Sequence, residues 1–518
     1  MPLKKITGLI VSATVAVALT ACGGSPRQAP GETAGGSASS SDSTSGGTLT
    51  IASVIDNNSY DPTQLNIGHQ MQYWDAVYDT LLDRDEDFDL VPGLATEWSY
   101  NEDNTVLNLK LRDDVTFTDG TPFDAEAVKA NISNLAAGTG QNSYMAKQVA
   151  EVEIVGDHEV NIKLSAPDPS YLEYLASVGG VMASPTSHKA ADVATKPVGT
   201  GPYVLDAAAT VVGSTYTYTR NPDYWNAEDY PYDTVVIKPM TDLTARLNAI
   251  RSGQVNGASA DANTAAEAEG AGLTLNTASV DWIGLFIADR EGRMVPALGD
   301  VRVRQAINMA FDKEAMLKNL SAGRGAVTTQ IFNPVTDAYD PSLDDDYTFD
   351  VAAAKELMAE AGYADGFEVE MPELAGFQAF NPAIASQLAE IGVRVKWVPI
   401  AANATITEIL SGKFPMFFFS LGSQSAWQDV QKSLLPTSPW NTAKAEDPEL
   451  AELLDTAKNA TDDERADAMK AVTTWVVENA WFAPFYRVDA VYLTDADTAA
   501  VMQPYVVVPP ISNFKPAE

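Results

Sequence analysis

The chain has almost none of the residues that form disulfides or hold transition metals. Its 518 residues include one cysteine, Cys22, and three histidines, His69, His158 and His188, which lie far apart in the sequence. A single cysteine excludes an internal disulfide and a zinc site built on several thiolates, and separated histidines exclude the paired-histidine metal motifs. We therefore predict neither a cofactor nor a metal site.

The usual short motifs of hydrolases and ATPases are also missing. The sequence contains no Gly-x-Ser-x-Gly elbow, no His-Glu-x-x-His motif and no Walker A motif, so serine-hydrolase, zinc-protease and ATPase chemistry lack their signatures. A glycosidase needs only two carboxylates, and 70 acidic residues make chance pairs unavoidable. An exported hydrolase thus stays open as an alternative, although we predict that the protein is not an enzyme.

One acidic run resembles the start of a calcium loop. Residues 83–87 are rich in aspartate, but Phe88 stands where such a loop needs glycine, and Leu94 stands where it needs glutamate. We therefore interpret residues 83–87 as a solvated hairpin turn.

Basic residues are scarce. The chain has 33 lysines and arginines against 70 acids, a formal net charge of −37. Such a charge repels nucleic acid phosphates, so we predict no nucleic acid partner. The length predicts two or three domains, and the 45% hydrophobic content is typical of a folded protein.

Long apolar runs are absent except at the N-terminus. Lys4 and Lys5 precede an apolar run over residues 6–19, a pattern typical of a signal peptide. Residues 19–23 resemble a bacterial lipobox, which predicts a signal peptide over residues 1–21 and a lipid on the sulfur of Cys22. The Gly/Ser-rich residues 22–46 would then form a lipid-anchored flexible linker, with the protein exported to the outer face of the cytoplasmic membrane.

The remaining sequence predicts an α/β fold. An alternating pattern at residues 48–52 indicates a strand. Residues 351–362 and 384–392 have helical periods that end at glycine, and each is followed by a strand pattern, at 367–371 and 393–398. Helices alternating with strands in this way indicate a sheet with covered faces. The apolar tail at residues 505–508 also predicts a strand, one that could close a sheet begun near the N-terminus.

A series of sequence blocks resembles one protein family. The blocks are residues 94–98, 108–117, 118–128, 197–203, 220–225, 246–257 and 300–307. Together and in this order they resemble the family 5 solute-binding proteins, the peptide/nickel/oligopeptide-binding group of ABC importers. Within these blocks we expect the glycines, among them Gly199 and Gly201, to be structural.

The resemblance implies a two-lobed periplasmic-binding-protein-like α/β fold, type II and cluster C-like, with an extra inserted domain. Domain I would combine residues 47–75, 197–283 and 490–518. Domain II would be the insertion at 76–196, and domain III would be residues 284–489. The chain would cross between the lobes near Asp281 and again near Arg487, and such crossings act as a hinge around a ligand cleft.

The same resemblance implies a monomeric receptor that binds a short peptide, or a similar small polar oligomer, and delivers it to ABC permease subunits. The apolar pattern at 417–422 is followed by a polar loop that would face the cleft. The predicted ligand contacts are Trp427, Asp429, Trp440, Asn441 and, at the crossing, Trp282.

One departure from the family pattern bears on the ligand. Oligopeptide-binding members often have a Trp-x-x-Asp-Tyr sequence whose aspartate binds the peptide ammonium. Here Trp427 is followed by Gln428, Asp429 and Val430. Either Asp429 takes that role in a shifted register or the anchor is missing. Oligosaccharides that stack on tryptophan therefore stay open as an alternative ligand class, and a sensory receptor without transport stays open as an alternative role.

Overall fold

The computed structural model describes most of the chain beyond the N-terminus. The described residues are 46–168, 171–374, 376–401, 404–423 and 425–517. The predicted signal peptide, Cys22 and the predicted linker up to residue 45 lie outside them.

The described part of the chain alternates short helices with strands. The strands are β1 (Thr48–Ser53), β2 (Leu82–Arg84), β3 (Leu90–Pro92), β4 (Ala95–Tyr100), β5 (Val106–Leu111), β6 (Val149–Gly156), β7 (Glu159–Leu164), β8 (Tyr203–Leu205), β9 (Tyr216–Arg220), β10 (Thr234–Pro239), β11 (Gly257–Ala260), β12 (Thr274–Ile287), β13 (Gly325–Val327), β14 (Phe367–Glu373), β15 (Val393–Pro399), β16 (Met416–Gly422), β17 (Phe482–Thr494), β18 (Thr498–Ala500) and β19 (Phe514–Pro516). The α-helices are α1 (Met71–Asp75), α2 (Ala125–Ala137), α3 (Tyr144–Lys147), α4 (Tyr171–Leu175), α5 (Leu243–Arg251), α6 (Ala262–Gly270), α7 (Val301–Met309), α8 (Lys313–Leu320), α9 (Val351–Glu360), α10 (Asn381–Glu390), α11 (Thr405–Leu410), α12 (Ala426–Ser433), α13 (Pro448–Asn459) and α14 (Asp462–Glu478).

A mixed sheet of nine strands forms the backbone of the fold. Its order is β16-β12-β17-β11-β1-β10-β9-β8, and β13 adds to β17. Strand β1 is parallel to both β10 and β11, whereas β12 is antiparallel to β16 and β17. A separate four-stranded antiparallel sheet, β4-β5-β7-β6, lies within the predicted insertion, and its strand β6 contacts α2.

Two long strands, β12 and β17, pair with each other over almost their whole length. Their register shifts between Ser279, which is opposite Asp489, and Asp281, which is opposite Val488. The extra residue at this point makes a β-bulge, which bends a strand and increases its twist. Both predicted lobe crossings lie at this bulge, on neighbouring strands.

The buried apolar side chains form separate cores. We define the first lobe by the core that β1, β5, β7, β9 and β10 form. The segment from Leu65 to Leu82 packs against this core. The second lobe contains two clusters built from β12, β16, β17 and helices α7 to α14. The predicted domain boundaries stay predictions, since cores show where side chains pack and not where a domain begins.

The local sequence patterns gave correct elements in several places. Helix α9 is capped by Asp350, whose carboxylate accepts hydrogen bonds from two N–H groups of the first turn, at 2.9 Å each. Strands β14 and β15 follow their helices and pair in parallel. The predicted strand at 48–52 is β1.

The prediction of a strand at residues 505–508 is wrong. This segment is a loop, and the last two strands, β18 and β19, pair only with each other in the described residues. Tyr505 has a φ of 64°, in the left-handed region that a strand does not use. Pro504, Pro509 and Pro510 have no N–H to donate to a sheet.

None of the helices in the described part of the chain is both long and apolar enough to cross a membrane.

Gly199 belongs to a site where two backbones approach closely. A Cβ atom added to Gly199 would lie 2.0 Å from the carbonyl oxygen of Val77 and 2.5 Å from the ring of Tyr78. We predict that Gly199→Ala lowers the free energy of unfolding by about 1–3 kcal/mol, because the backbone of Val77 would have to move. Denaturant titration measures this change.

The control is Gly270→Ala, at the end of α6, where an added Cβ meets no atom within 4 Å. We expect this variant to match the parent protein or to be more stable by up to about 1 kcal/mol. Equal losses in the two variants would show that the approach of Val77 to Gly199 does not constrain the fold.

Candidate ligand-binding cleft

A cavity of about 390 Å³ lies between the two lobes. We call it the acidic cavity, because Asp75 and Asp83 lie in its first-lobe wall. Its second-lobe wall comes from the end of β16 and from α12. Its lining residues are Ile67, Gly68, Met71, Trp74, Asp75, Thr80, Asp83, Arg84, Phe88, Met145, Glu173, Ala176, Ser177, Leu421, Gly422, Ser423, Gln428, Lys432, Gln503, Tyr505, Val506, Val507 and Pro510.

A second cavity of about 550 Å³ adjoins the first. We call it the aromatic cavity, because Tyr144, Tyr174 and Trp440 contribute to its walls. The remaining lining residues are Gln148, Gln428, Gln431, Lys432, Leu435, Thr437 and Pro439. Gln428 and Lys432 line both cavities, so the two cavities are neighbours in the cleft between the lobes. Cavities of this size, with apolar walls and a few polar groups, are typical of small-molecule sites.

Helix α12 supplies the second-lobe wall of both cavities. The helix begins after Ser425, whose backbone N–H donates to Gln428 Oε1 at 3.3 Å. Trp427 and Val430 are buried in the second-lobe core. Gln428 and Lys432 are four residues apart and therefore lie on the same side of the helix, towards the cleft.

Asp429 already has a cationic partner within the protein. Its carboxylate lies 2.8 Å from Lys432 Nζ, and 4% of its side chain is exposed. Lys432 also donates to the carbonyl oxygen of Gly422. An ammonium group has three N–H donors, so one donor of Lys432 has no acceptor among the residues that the structure describes.

The hairpin of β2 and β3 carries a second basic residue into the cleft. Arg84 forms an ion pair with Glu173, donates to the carbonyl oxygen of Phe88 at 2.6 Å and lies 3.8 Å above the Phe88 ring. Gln503 holds the hairpin by donating to the carbonyl oxygens of Arg84 and Asp85, at 3.1 Å and 2.8 Å. The predicted solvated hairpin turn at residues 83–87 is confirmed, since four of its five residues are exposed. The sequence did not indicate that Asp83 and Arg84 of this turn also line the acidic cavity.

A hydrogen bond joins the two lobes across the cleft. The hydroxyl of Tyr174, from α4 of the first lobe, donates to Gln431 Oε1 of α12 at 2.9 Å. The same glutamine donates from Nε2 to Asp168 Oδ2 at 3.4 Å. The lobes are therefore in direct polar contact at the edge of the aromatic cavity.

Of the predicted ligand contacts, Trp440 lines the aromatic cavity. Its ring also packs against Phe419, with the ring centroids 4.9 Å apart. Asp429 lies directly behind the cavity wall and touches it through Lys432.

The other three predicted contacts are packed inside the second lobe. Trp282 is 2% exposed and stacks on Phe286 with ring centroids 4.6 Å apart, and Trp427 is 8% exposed in the same core. The side chain of Asn441 accepts from the N–H of Ala445 at 3.0 Å and donates to its carbonyl oxygen at 2.8 Å. Packing gives each a structural role, and a ligand contact at these positions stays a prediction.

Two carboxylates of the acidic cavity lack a cationic partner. One oxygen of Asp75 accepts from the N–H of Ile511 at 2.8 Å, and one oxygen of Asp83 accepts from the N–H of Arg84 at 2.8 Å. Neither residue forms an ion pair with any residue that the structure describes, whereas Arg84 and Lys432 are both paired. Sequence reasoning missed Asp75 altogether, since nothing in its local sequence marks it.

The surroundings of these carboxylates favour their protonated forms. Burial raises the pKa of Asp75 to about 7, the charges of Asp83 and Asp79 add to the shift, and the hydrogen bond from Ile511 opposes it. Burial also raises the pKa of Asp83 to about 6. Asp83 is exposed to the water of the cleft and Asp75 is only partly exposed, so burial affects Asp75 more.

Metal ligands do not cluster in the part of the chain that the structure describes. No group of three or more histidine, cysteine, aspartate or glutamate side chains is placed there to hold a metal ion.

Comparison with known proteins identifies the family. Residues 89–444 match the family described as bacterial extracellular solute-binding proteins, family 5. The chain belongs to this family. Membership places the protein among solute-binding proteins rather than enzymes, and it confirms the family resemblance of the sequence blocks.

Individual relatives are distant in sequence but close in fold. The chain is 26% identical over 355 residues to the glutathione-binding protein GsiB of Salmonella paratyphi A, a match that covers 64% of this chain and 66% of that relative. HbpA2 from Haemophilus parasuis has a TM-score of 0.80 at 22% identity, covering 91% of this chain and 100% of that one. DppA from Helicobacter pylori, in complex with the peptide STSA, has a TM-score of 0.74 at 21% identity, covering 92% and 99%. The predicted two-lobed α/β fold is confirmed.

The raised pKa of Asp75 predicts a pH-dependent effect of its removal. A carboxyl whose pKa is higher in the folded state than in the unfolded state destabilises the fold as the pH rises between the two values. We expect Asp75→Asn, which keeps an acceptor for the Ile511 N–H, to raise the melting temperature by on the order of 1–3 °C at pH 8. The gain should fade as the pH falls from 7 towards 4, and melting curves at four pH values measure it.

The control is Asp87→Asn, which removes an exposed carboxylate from the hairpin of β2 and β3. We expect its melting temperature to stay close to that of the parent protein throughout. The groups that share the cavity with Asp75, and that must stay unchanged in the comparison, are Asp83, Arg84, Glu173 and Lys432. A difference between Asp75→Asn and the parent that does not vary with pH would contradict the prediction.

Proposed function

We propose that the protein is the extracytoplasmic substrate-binding subunit of an ABC importer. It binds a short peptide, or a similar small polar oligomer, in the cleft between its lobes. The observation that supports this proposal most directly is the pair of neighbouring cavities that both lobes line and that share Gln428 and Lys432. A ligand there touches both lobes at once and favours the arrangement in which the lobes are close.

The chemistry of the cleft suits a peptide-like ligand. The acidic cavity offers apolar side chains together with carboxylates, amides and hydroxyls, so it can bind side chains and polar backbone groups. Two similar proteins agree with this class: one is a glutathione-binding protein, and one fold neighbour was solved with a peptide. The chain matches that relative over 66% of the relative's length, and we propose the ligand class and the permease partner on this basis.

The proposal places the receptor outside the cytoplasm. In it, residues 1–21 direct export, Cys22 carries a lipid, and the receptor reaches ABC permease subunits from a flexible tether. It acts as a monomer and has no nucleic acid partner, in keeping with a net charge of −37.

An oligosaccharide is the second candidate ligand. The walls of the aromatic cavity combine Tyr144, Tyr174 and Trp440 with three glutamines, and Lys432 is its one charged residue among those that line it. Aromatic faces and amides suit a neutral, hydroxyl-rich ligand.

A thermal-shift screen distinguishes the two ligand classes. The soluble protein from residue 47 is mixed with pooled peptides of two to five residues or with pooled oligosaccharides. A ligand at 100 times its dissociation constant stabilises the fold by about 2.7 kcal/mol, which raises the melting temperature by on the order of 2–3 °C for a chain of this size. We expect a shift with peptides. A shift with oligosaccharides alone would replace the peptide proposal by the second candidate, and no shift with either pool would contradict both.

The lipid anchor has its own test. We expect cells expressing the full chain to attach labelled fatty acid to the protein and to retain it in the membrane fraction. Cys22→Ser should abolish both, because the chain has no second cysteine. A membrane-bound, unlabelled parent protein would contradict lipidation at Cys22.

A further inference from the structure

The charges that line the cleft are distributed unevenly. Five charged residues line the acidic cavity: Asp75, Asp83, Arg84, Glu173 and Lys432. Arg84 and Glu173 neutralise each other, and Lys432 is neutralised from behind by Asp429. Asp75 and Asp83 are left with no ion-pair partner among the described residues.

These two carboxylates line the same cavity, and both interact electrostatically with a third, Asp79. Asp83 and Asp79 both raise the pKa of Asp75, and Asp79 raises that of Asp83, so the three charges interact. Asp79 faces the protein, since it accepts from the hydroxyl of Tyr224 at 2.8 Å and from the Trp225 ring N–H at 3.2 Å. Asp75 and Asp83 face the cavity instead, and each keeps one carboxylate oxygen that accepts no hydrogen bond from a described residue.

Asp429, which the sequence suggested as a partner for a ligand ammonium group, already has a partner within the protein. Asp429 is 3% exposed and already contacts the ammonium of Lys432. A ligand ammonium would have to displace Lys432 from a buried carboxylate and leave that lysine without its partner, which is costly. No such displacement is needed at Asp75 and Asp83.

We propose that Asp75 and Asp83, in the first lobe, bind the ammonium end of the ligand, and that Asp429 and Lys432 form an internal ion pair that does not. This inference rests on the proposed function and specifies its ligand: a short peptide with a free amino terminus in the acidic cavity. The chain of the ligand then passes Gln428 and Lys432 towards the aromatic cavity. The remaining N–H donor of Lys432 is available there for a carbonyl or carboxylate oxygen of the ligand.

The apolar surroundings strengthen the proposed contact. Trp74, Met71 and Met145 line the same cavity and limit the water around Asp75, which is only partly exposed. An ammonium group that enters supplies the missing positive charge, and an interaction between opposite charges is stronger where water is scarce.

The test uses one tripeptide in three forms. The probe is the tripeptide with the largest shift in the peptide screen, prepared free, N-acetylated and C-amidated, and titrated calorimetrically at pH 7.5. We expect acetylation to weaken binding by about 30-fold or more, since it removes one partner of a charge pair. We expect amidation, which removes charge from the other end, to weaken binding less.

Variants assign the effect to the residues. In the double variant Asp75→Asn/Asp83→Asn, the free and acetylated peptides should bind within about threefold of each other. In Asp87→Asn, a control in the same hairpin whose side chain does not line the acidic cavity, the full effect of acetylation should persist. Melting curves verify that both variants are folded.

The outcomes separate this inference from the proposed function. If peptides bind but the effect of acetylation is unchanged in the double variant, the inference is wrong and the receptor function stands. If amidation weakens binding more than acetylation does, the proposed orientation of the peptide, with its amino terminus at Asp75 and Asp83, is wrong. If no peptide binds the parent protein, the proposed peptide function fails and this inference fails with it.

Discussion

The pairing of β12 with β17 connects the two lobes. These strands contribute to the cores of both lobes, and the bulge at Ser279 and Asp281 lies where they pass from one lobe to the other. Two strands that are hydrogen-bonded to each other fix the position of one lobe relative to the other more firmly than two separate loops would. The distance between the cavity walls therefore depends on how this pair bends.

A buried arginine stabilises the second-lobe side of the crossing. Arg487, on β17, is 2% exposed and donates to the carbonyl oxygens of Gln330, at 3.0 Å, and of Phe332. Burial lowers the pKa of its guanidinium to about 10, and the neighbouring acids Asp344 and Asp429 oppose that shift. The arginine stays charged at neutral pH, and its bonds fix the segment after β13 against the strand.

Features that depend on neighbouring residues are the ones that a sequence pattern encodes. Asp350 and Asp447 each cap the helix that follows, because the capping bonds join residues two or three positions apart. The order of the family blocks predicted the fold. The spacing of Trp427 and Val430 could also have indicated the buried side of α12, which leaves Gln428 and Lys432 towards the cleft.

Other features depend on contacts that no local pattern encodes. Asp75 ends a short helix and Asp83 lies on a strand, and only the packing of the first lobe brings both to one cavity. The apolar residues at 506–508 suggested a strand, but they lie in a loop in which Val508 is buried in the first-lobe core and Val506 and Val507 are half-buried in the wall of the acidic cavity. Large aromatic residues such as Trp282 are more often buried in a core than exposed to a ligand.

The ion pair of Asp429 and Lys432 has a consequence for how the two lobes respond to a ligand. In the proposed mode of binding, Lys432 neutralises Asp429 with or without a ligand, so the charge of the second-lobe wall does not change. Such a wall is preorganised and loses little freedom on binding. The carboxylates that respond to the charge of the ligand are then Asp75 and Asp83, in the first lobe.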